Sequence, residues 1–184
     1  IEEFLNHNNA DIIFNLLEEF EGDSSLDFMA IELFEKYDLK YTGESSNGLK
    51  IGKNKNHSKV IVKNAGVLVP ESYSLKEVHF PAIIKFNEED GSYAIFKRNI
   101  VKNQKELKER YHYLKNKFDG ELLIEQFISG REAYVSLLKS ETGEIKVFRP
   151  RELVFKNKDV PENEIYSERL KWSKNKIAVT QFLK

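Results

Sequence analysis

The residues best suited to chemistry in this sequence are lysines and glutamates that lie next to apolar segments. Lys85 directly follows the apolar pair Ile83-Ile84 in a predicted strand, where a lysine is costly to bury without an anionic partner. Gly91 and Ser92 fit a turn whose backbone N–H groups could bind an anion, and they also fit a simple hairpin turn. Glu132 follows another apolar segment and also fits an ordinary surface carboxylate.

The common short catalytic signatures are absent. The sequence contains no Ser/His/Asp set, no G-x-x-x-x-G-K-[ST] phosphate loop and no G-x-G-x-x-G dinucleotide motif. It has no cysteine, and its four histidines show no metal-ligand spacing. Disulfide frameworks, thiolate zinc sites and thiol nucleophiles are therefore excluded for these 184 residues.

Composition indicates a folded chain without a strong global charge. The 184 residues are 40% hydrophobic and 32% charged, and 29 basic side chains nearly balance 30 acidic ones. Such a chain is not drawn to nucleic acid or to an anionic membrane by its overall field. Because no apolar run reaches the roughly 20 residues of a membrane span and no secretory pattern opens the chain, we expect a cytoplasmic protein. The chain starts at Ile1, and we expect it to be a fragment.

The first quarter of the chain predicts a strand followed by a helix. Residues 11–17 form a short apolar run, which predicts a buried strand. From Leu26 the apolar residues recur with the spacing of one helix face, and Ser24 or Ser25 is placed to cap that helix. Residues 42–54 are polar and aperiodic, which predicts a connection between subdomains.

Alternating strands and helices are predicted over the rest of the chain. A short helix over 57–64 ends at Gly66, and a longer helix over 103–117 is capped by Asn103 with Glu106 three residues on. Beyond Asn157 the pattern fades. The strands are predicted over 81–86, 93–96 and 121–127, with a hairpin formed by 131–140 and 145–155.

Several separated pieces, in order, resemble the ATP-grasp superfamily, and within it the D-alanine:D-alanine ligase family. The resemblance covers roughly residues 11–172, and the Glu-x-x-Ile-x-Gly-x-Glu arrangement that ends at Glu132 is its most specific piece. The matching segments are Tyr41-Thr-Gly43, Asn54-Lys55 with Lys59, Ala65-Gly66 with Pro70, Phe80 to Lys85, Gly91-Ser92, Ile124 to Glu132 and Ile165 to Trp172.

The resemblance implies an ATP site between two antiparallel sheets. Lysines would contact the phosphates, a small loop would close over them, the segment between subdomains would hold the adenine, and a carboxylate would accept from the ribose hydroxyls. The implied ATP-binding residues are Lys55, Lys85, Ser92, Glu125, Gln126, Phe127, Ile128, Glu132 and Lys171.

The sequence also departs from the family pattern. Tyr93, Ala94 and Ile95 follow Ser92 where the family has a second serine, a small residue and a glycine. The histidine of the family's first substrate loop is missing, and Glu18 either binds a substrate amine there or is simply solvated. The family's late Asp, Glu and Asn ligands for Mg²⁺ have no counterpart before Lys184, so no metal ligand is predicted in this chain.

The resulting expectation is an α/β fold of the α+β ATP-grasp type. Residues 1–47 would form part of an N-terminal α/β domain, 48–127 the central antiparallel-sheet subdomain, and 128–184 the start of a second subdomain. The implied activity joins a carboxylate to an amine through an acylphosphate, with ATP and Mg²⁺ as cofactors, amino acids or small carboxylates and amines as substrates, and a homodimer as assembly. The alternatives are a nucleotide-binding module without turnover and, through the lysines of 97–117, a nucleic-acid-binding domain.

Overall fold

A computed structural model describes residues 10–89, 92–155, 165, 167, 171 and 178–183. The segments 1–9, 90–91, 156–164 and 172–177 lie outside the described residues, as do the predicted positions Gly91 and Trp172. The helices are α1 (Asp27–Lys36), α2 (Ser46–Lys53), α3 (Lys55–Asn64) and α4 (Gln104–Lys117). The strands are β1 (Ser72–Tyr73), β2 (Ala82–Phe86), β3 (Ile100–Val101), β4 (Leu122–Gln126), β5 (Ala133–Tyr134), β6 (Leu137–Lys139), β7 (Ile145–Val147), β8 (Arg151–Phe155) and β9 (Ala178–Phe182).

The central sheet has the strand order β1-β4-β2-β3, and each neighbouring pair is antiparallel. The predicted strands over 81–86 and 121–127 are confirmed as β2 and β4. Side chains alternate across β2, so Ala82, Ile84 and Phe86 are buried in the core while Ile83 and Lys85 lie on the opposite face. Each face of the sheet is therefore covered by different elements.

Helix α4 packs on the core face of the sheet. The Asn103 carboxamide oxygen accepts a hydrogen bond from the Glu106 amide at 3.0 Å, and the Glu106 carboxylate accepts from the Lys102 amide at 2.8 Å. This reciprocal arrangement satisfies two amides at the helix start and confirms the predicted helix. Leu107 and Leu114 are fully buried in the cluster that contains Ile84.

Helix α1 is confirmed, but the strand predicted before it is not. Ile13 forms one parallel β-bridge with Tyr41, and Phe14 and Leu16 are 73% and 76% exposed. The ladder stops because the next backbone amides donate to side chains, that of Asn15 to the Thr42 hydroxyl and that of Leu17 to the Asn15 carboxamide. The segment 11–17 is thus an exposed extended segment.

The helix caps also differ from the prediction. A 3₁₀ turn, Ser24–Leu26, precedes α1, and the Asp23 carboxylate accepts from the Ser25 amide at 2.7 Å. Asp23 therefore caps the 3₁₀ turn, whereas α1 follows Leu26 without a side-chain cap, so neither Ser24 nor Ser25 caps the helix as predicted. The hydrogen bonds of Asp23 with Ser25 lower the pKa of its carboxyl group.

The connection predicted over 42–54 contains helix α2. The Ser45 hydroxyl accepts from the Gly48 amide at 3.1 Å, and the Glu35 carboxylate accepts from the Ser46 amide at 3.0 Å, so polar residues that suggested a loop instead cap a helix. Helix α3 then begins at Lys55, two residues before the predicted start.

The prediction of a strand over 93–96 is wrong. Ser92 and Ala94 have φ angles of 66° and 51°, which are incompatible with an extended strand. The Ile95 amide donates to the Ser92 carbonyl at 3.0 Å, so this segment is a compact turn.

The predicted hairpin is confirmed as two antiparallel pairs, β6 with β7 and β5 with β8. Strand β9 adds to β8, with Phe155 opposite Ala178 and Arg151 opposite Phe182. The prediction missed β9, because five residues near a long polar segment carry too little periodicity to stand out.

Candidate functional site

Lys85 and Glu125 come together because neighbouring strands place them on the same face of the sheet. Glu125 lies opposite Ile83, and Lys85 lies opposite Leu123. The two charged residues are therefore diagonal neighbours, a separation that long side chains can span. Their ammonium and carboxylate groups form an ion pair through Oε1 of Glu125.

A second lysine completes this arrangement from helix α3. The Lys59 ammonium lies 2.6 Å from Oε2 of Glu125 and donates to the Ser72 hydroxyl at 2.8 Å. The Glu125 side chain is 4% exposed, against 14% for Lys59 and 22% for Lys85. We refer to Lys59, Lys85 and Glu125 as the Lys–Glu–Lys cluster, which carries two positive charges and one negative charge in a largely buried place.

Lys59 belongs to the quoted motif but had no predicted role. Its signal in the sequence is its position four residues after Lys55, one turn along the same helix face. The partner carboxylate lies 66 residues further on, and only the register of β4 identifies it.

Lys55 lies at the start of α3 and is held by the end of β2. Its ammonium donates to the carbonyls of Asn87, at 3.2 Å, and Glu89. The buried Asn87 side chain accepts from the Asn56 amide at 3.0 Å and donates to the Glu121 carboxylate at 2.8 Å. These bonds fix the first turn of α3 against the end of β2.

The buried side-chain amide of Asn99 holds the turn that contains Ser92. Asn99 donates to the carbonyls of Ile84 at 2.8 Å and Ala94 at 2.9 Å, and accepts from the Arg110 guanidinium at 2.8 Å. Burial lowers the pKa of Arg110. The network ties the turn to β2 and α4, and so defines where its backbone runs.

The segment predicted to hold the adenine leaves the sheet at the end of β4. The Gln126 amide donates to the Glu71 carbonyl at 2.9 Å, and the Phe127 amide donates to the Pro81 carbonyl at 3.1 Å. Ile128 follows with its side chain 60% exposed. The backbone amide of Gln126 therefore already donates a hydrogen bond within the protein.

The remaining predicted residues lie elsewhere. The exposed Glu132 precedes β5, its carboxylate accepts from the Tyr134 hydroxyl at 2.5 Å, and its carbonyl accepts from the Leu153 amide at 2.8 Å. Lys171 is exposed and its amide donates to the Ser167 carbonyl. Glu18 is exposed on the segment before α1. The contacts of the described residues do not join Glu132 or Glu18 to the Lys–Glu–Lys cluster.

Two kinds of feature are absent from the described residues. No helix among them is both long enough and apolar enough to cross a bilayer. Within the same residues, no group of three or more His, Cys, Asp or Glu side chains is placed to hold a metal ion.

The arrangement of strands and helices is that of the ATP-grasp fold. The chain matches a D-alanine:D-alanine ligase from Bacillus anthracis, solved with ATP, over 100% of its own length and 57% of that chain, at 18% identity and a TM-score of 0.65. It matches the biotin carboxylase domain of 2-oxoglutarate carboxylase from Hydrogenobacter thermophilus, solved with MgADP, over 82% of its length and 36% of that chain, at 20% identity and a TM-score of 0.66. At these identities the likeness concerns the fold.

The family follows from the sequence match. The model of the D-Ala D-Ala ligase C-terminus matches residues 60–181, more than half of the chain, and the chain belongs to this family. The D-alanine:D-alanine ligase of Aquifex aeolicus is 28% identical over 132 residues, which are 67% of this chain and 44% of that protein. The chain spans less than half the length of the curated relatives it matches.

Proposed function

We propose that this chain forms the nucleotide-binding part of an ATP-dependent ligase that joins a carboxylate to an amine, similar to D-alanine:D-alanine ligase. The Lys–Glu–Lys cluster carries the proposal. Its two lysines outnumber its carboxylate, and Lys85 is a position to which the family resemblance assigns an ATP phosphate. An excess positive charge in a largely buried place favours an anionic ligand.

The chemistry proposed is transfer of the γ-phosphoryl group followed by amide formation. A carboxylate oxygen of the first substrate attacks the γ-phosphorus, the bond to the β,γ-bridging oxygen breaks, and ADP leaves. The amine nitrogen of the second substrate then attacks the acyl carbon, inorganic phosphate leaves, and the nitrogen loses a proton. Lysines that hold the phosphates in line contribute by positioning and by neutralising charge.

The remaining site residues keep their roles as parts of the proposal. Lys55 is proposed as a second phosphate-binding lysine because the family resemblance assigns it to ATP, and its ammonium is held at the end of β2 by the carbonyls of Asn87 and Glu89. Because the Gln126 amide is engaged by Glu71, the other groups of Gln126 are the ones proposed to meet the adenine together with Ile128. The further proposed ligands are Phe127 and Ile128 for the base, Glu132 for the ribose hydroxyls, Lys171 for the phosphates and Glu18 for a substrate amine.

Mg²⁺ is proposed to accompany the phosphates, as MgADP does in the Hydrogenobacter thermophilus domain. The described residues present no cluster of three ligating side chains, so no step is assigned to a protein-held metal. Amino acids or other small carboxylates and amines are the proposed substrates, and a cytoplasmic homodimer is the proposed setting.

Thermal unfolding of the 184-residue chain with and without Mg-ATP tests nucleotide binding. A ligand at 100 times its dissociation constant stabilises the folded state by about 2.7 kcal/mol, and Lys85→Ala should reduce the shift strongly. Lys63→Ala is the matched control, because Lys63 is an exposed lysine on α3. No shift of the wild-type chain at millimolar Mg-ATP would refute the proposal.

Phosphate release tests turnover once binding is established. The full-length protein with Mg-ATP should release phosphate faster when D-alanine or another amino acid is added. Binding without amino-acid-dependent release would identify a nucleotide-binding module without turnover.

A further inference from the structure

The ammonium group of Lys59 is held by two side chains, unlike that of a solvated lysine on a helix surface. Its ammonium is bonded both to Oε2 of Glu125 and to the hydroxyl of Ser72, and its side chain is 14% exposed. A lysine is rarely placed this deep unless its charge is balanced. The balancing group is a carboxylate that the proposed function already places in the ATP site.

The two oxygens of Glu125 are divided between two lysines. Oε1 meets Lys85 and Oε2 meets Lys59. If Lys85 moves to a phosphate, Glu125 loses that partner and keeps Lys59. Without Lys59, the same movement would leave a carboxylate that is 4% exposed with no counter-charge from this cluster, which is strongly unfavourable.

We infer that Lys59 is a positioning residue, which neutralises Glu125 so that Lys85 is free to bind the phosphates of ATP. This inference rests on the proposed function, since it assigns Lys85 to a phosphate. It predicts that Lys59 affects the phosphate part of nucleotide binding while never touching the nucleotide. Loss of its charge leaves Lys85 as the sole counter-ion of Glu125 in the cluster and so holds Lys85 away from the ligand.

The test compares ATP with adenosine, which lacks phosphates, by isothermal titration calorimetry. Lys59→Met should weaken ATP binding by roughly ten- to hundredfold and change adenosine binding less than about twofold. General damage to the site would weaken both ligands together, so the ratio of the two affinities separates a positioning role from a structural one.

Three further variants sharpen the comparison. Lys63→Met, one turn further along α3, is the control and should bind both ligands as the wild type does. Lys59→Arg keeps the charge and should restore most of the ATP affinity. Lys59→Met combined with Glu125→Gln removes both charges, releases Lys85, and should return the ratio of ATP to adenosine affinity toward the wild-type value.

The outcomes distinguish this inference from the proposed function. A wild-type chain that binds no ATP refutes the proposed function itself. A wild-type chain that binds ATP, with Lys59→Met unchanged or weakened equally for both ligands, overturns the role of Lys59. If Lys59→Met does not fold, Lys59→Gln keeps a donor for the carboxylate without the charge, and the same ratio decides.

Discussion

The ammonium of Lys59 lies 2.6 Å from the carboxylate of Glu125, although 66 residues separate them in the chain. Helix α3 supplies one group and the central strand β4 supplies the other, and Lys85 on β2 takes the second oxygen of the same carboxylate. The contact joins the helix to the sheet at the face opposite the apolar core. The proposed nucleotide site and the stability of this face therefore depend on the same charged groups.

Removing the carboxylate should destabilise the chain. Glu125→Ala leaves the partly buried ammonium groups of Lys59 and Lys85 facing each other without a counter-charge. We expect a loss of about 2 kcal/mol in the free energy of unfolding, below the range for a fully buried pair because both lysines retain some contact with solvent. Urea denaturation measures this loss. Glu109→Ala, at an exposed position on α4, should change stability by less than about 0.5 kcal/mol, and an equal effect of the two substitutions would contradict the prediction.

The core beneath α4 should be equally sensitive, for a different reason. Leu114 is fully buried in the cluster with Ile84 and Leu107, so Leu114→Ala leaves a cavity. A loss of about 2–5 kcal/mol is expected in the free energy of unfolding, measured by chemical denaturation. Lys108→Ala on the exposed side of the same helix should change the free energy of unfolding by less than about 0.5 kcal/mol, and a comparable loss there would show that the cavity is not the cause.

Strong periodicity made the largest elements predictable. Helix α4 carries a capping pair at Asn103 and Glu106 and an apolar stripe of Leu107 and Leu114, so local sequence and packing agree. Strand β2 was equally clear from its apolar run. The strand prediction for residues 11–17 was wrong. An apolar run does not reveal that the side chains of Asn15 and Thr42 accept hydrogen bonds from the backbone amides that a β-ladder would need.

Most residues of the candidate site could be predicted from the sequence, but the ion pairs that they form could not. Family spacing identified Lys55, Lys85 and Glu125, whose roles in ATP binding remain predictions. That Glu125 holds Lys59 and Lys85 at once depends on the β2–β4 register and on the position of α3, which are long-range properties. Helix α2 was missed for a local reason, since Ser45 and Ser46 are residues of loops and helix caps alike.

Acid should weaken the junction between α1 and α2. Glu35 accepts hydrogen bonds from the Ser46 hydroxyl at 2.6 Å, the Ser46 amide at 3.0 Å and the Tyr41 hydroxyl at 2.9 Å. The bonds from Ser46, the hydroxyl first, lower the pKa of Glu35 below its ordinary value of 4.5. The stabilisation is therefore complete above that value and is lost as the pH falls through the lowered pKa.

Glu35→Gln should reduce the dependence of the free energy of unfolding on pH in the acid range. Because the carboxylate is largely exposed, we expect it to contribute about 1 kcal/mol or less at neutral pH, measured as the difference in unfolding free energy between wild type and variant from pH 7 to pH 3. Curves that stay parallel below pH 4.5 would show that Glu35 does not contribute. Burial and then the bond to Glu35 raise the pKa of Tyr41 to about 12, so the ultraviolet titration of Tyr41 should shift toward lower pH in the same variant.

The turn that contains Ser92 should lose its shape when Asn99 is shortened. Asn99→Ala removes the two bonds to the carbonyls of Ile84 and Ala94 and the acceptor of Arg110. Leaving these buried groups without partners is expected to cost about 1–3 kcal/mol. Hydrogen exchange of the amides of residues 92–96 should speed up more than that of α4. Because the family resemblance implies that Ser92 in this turn binds ATP, Mg-ATP affinity should fall while adenosine affinity stays within about twofold. If exchange rises equally in α4 and the turn, Asn99 supports the whole core and has no specific effect on the turn.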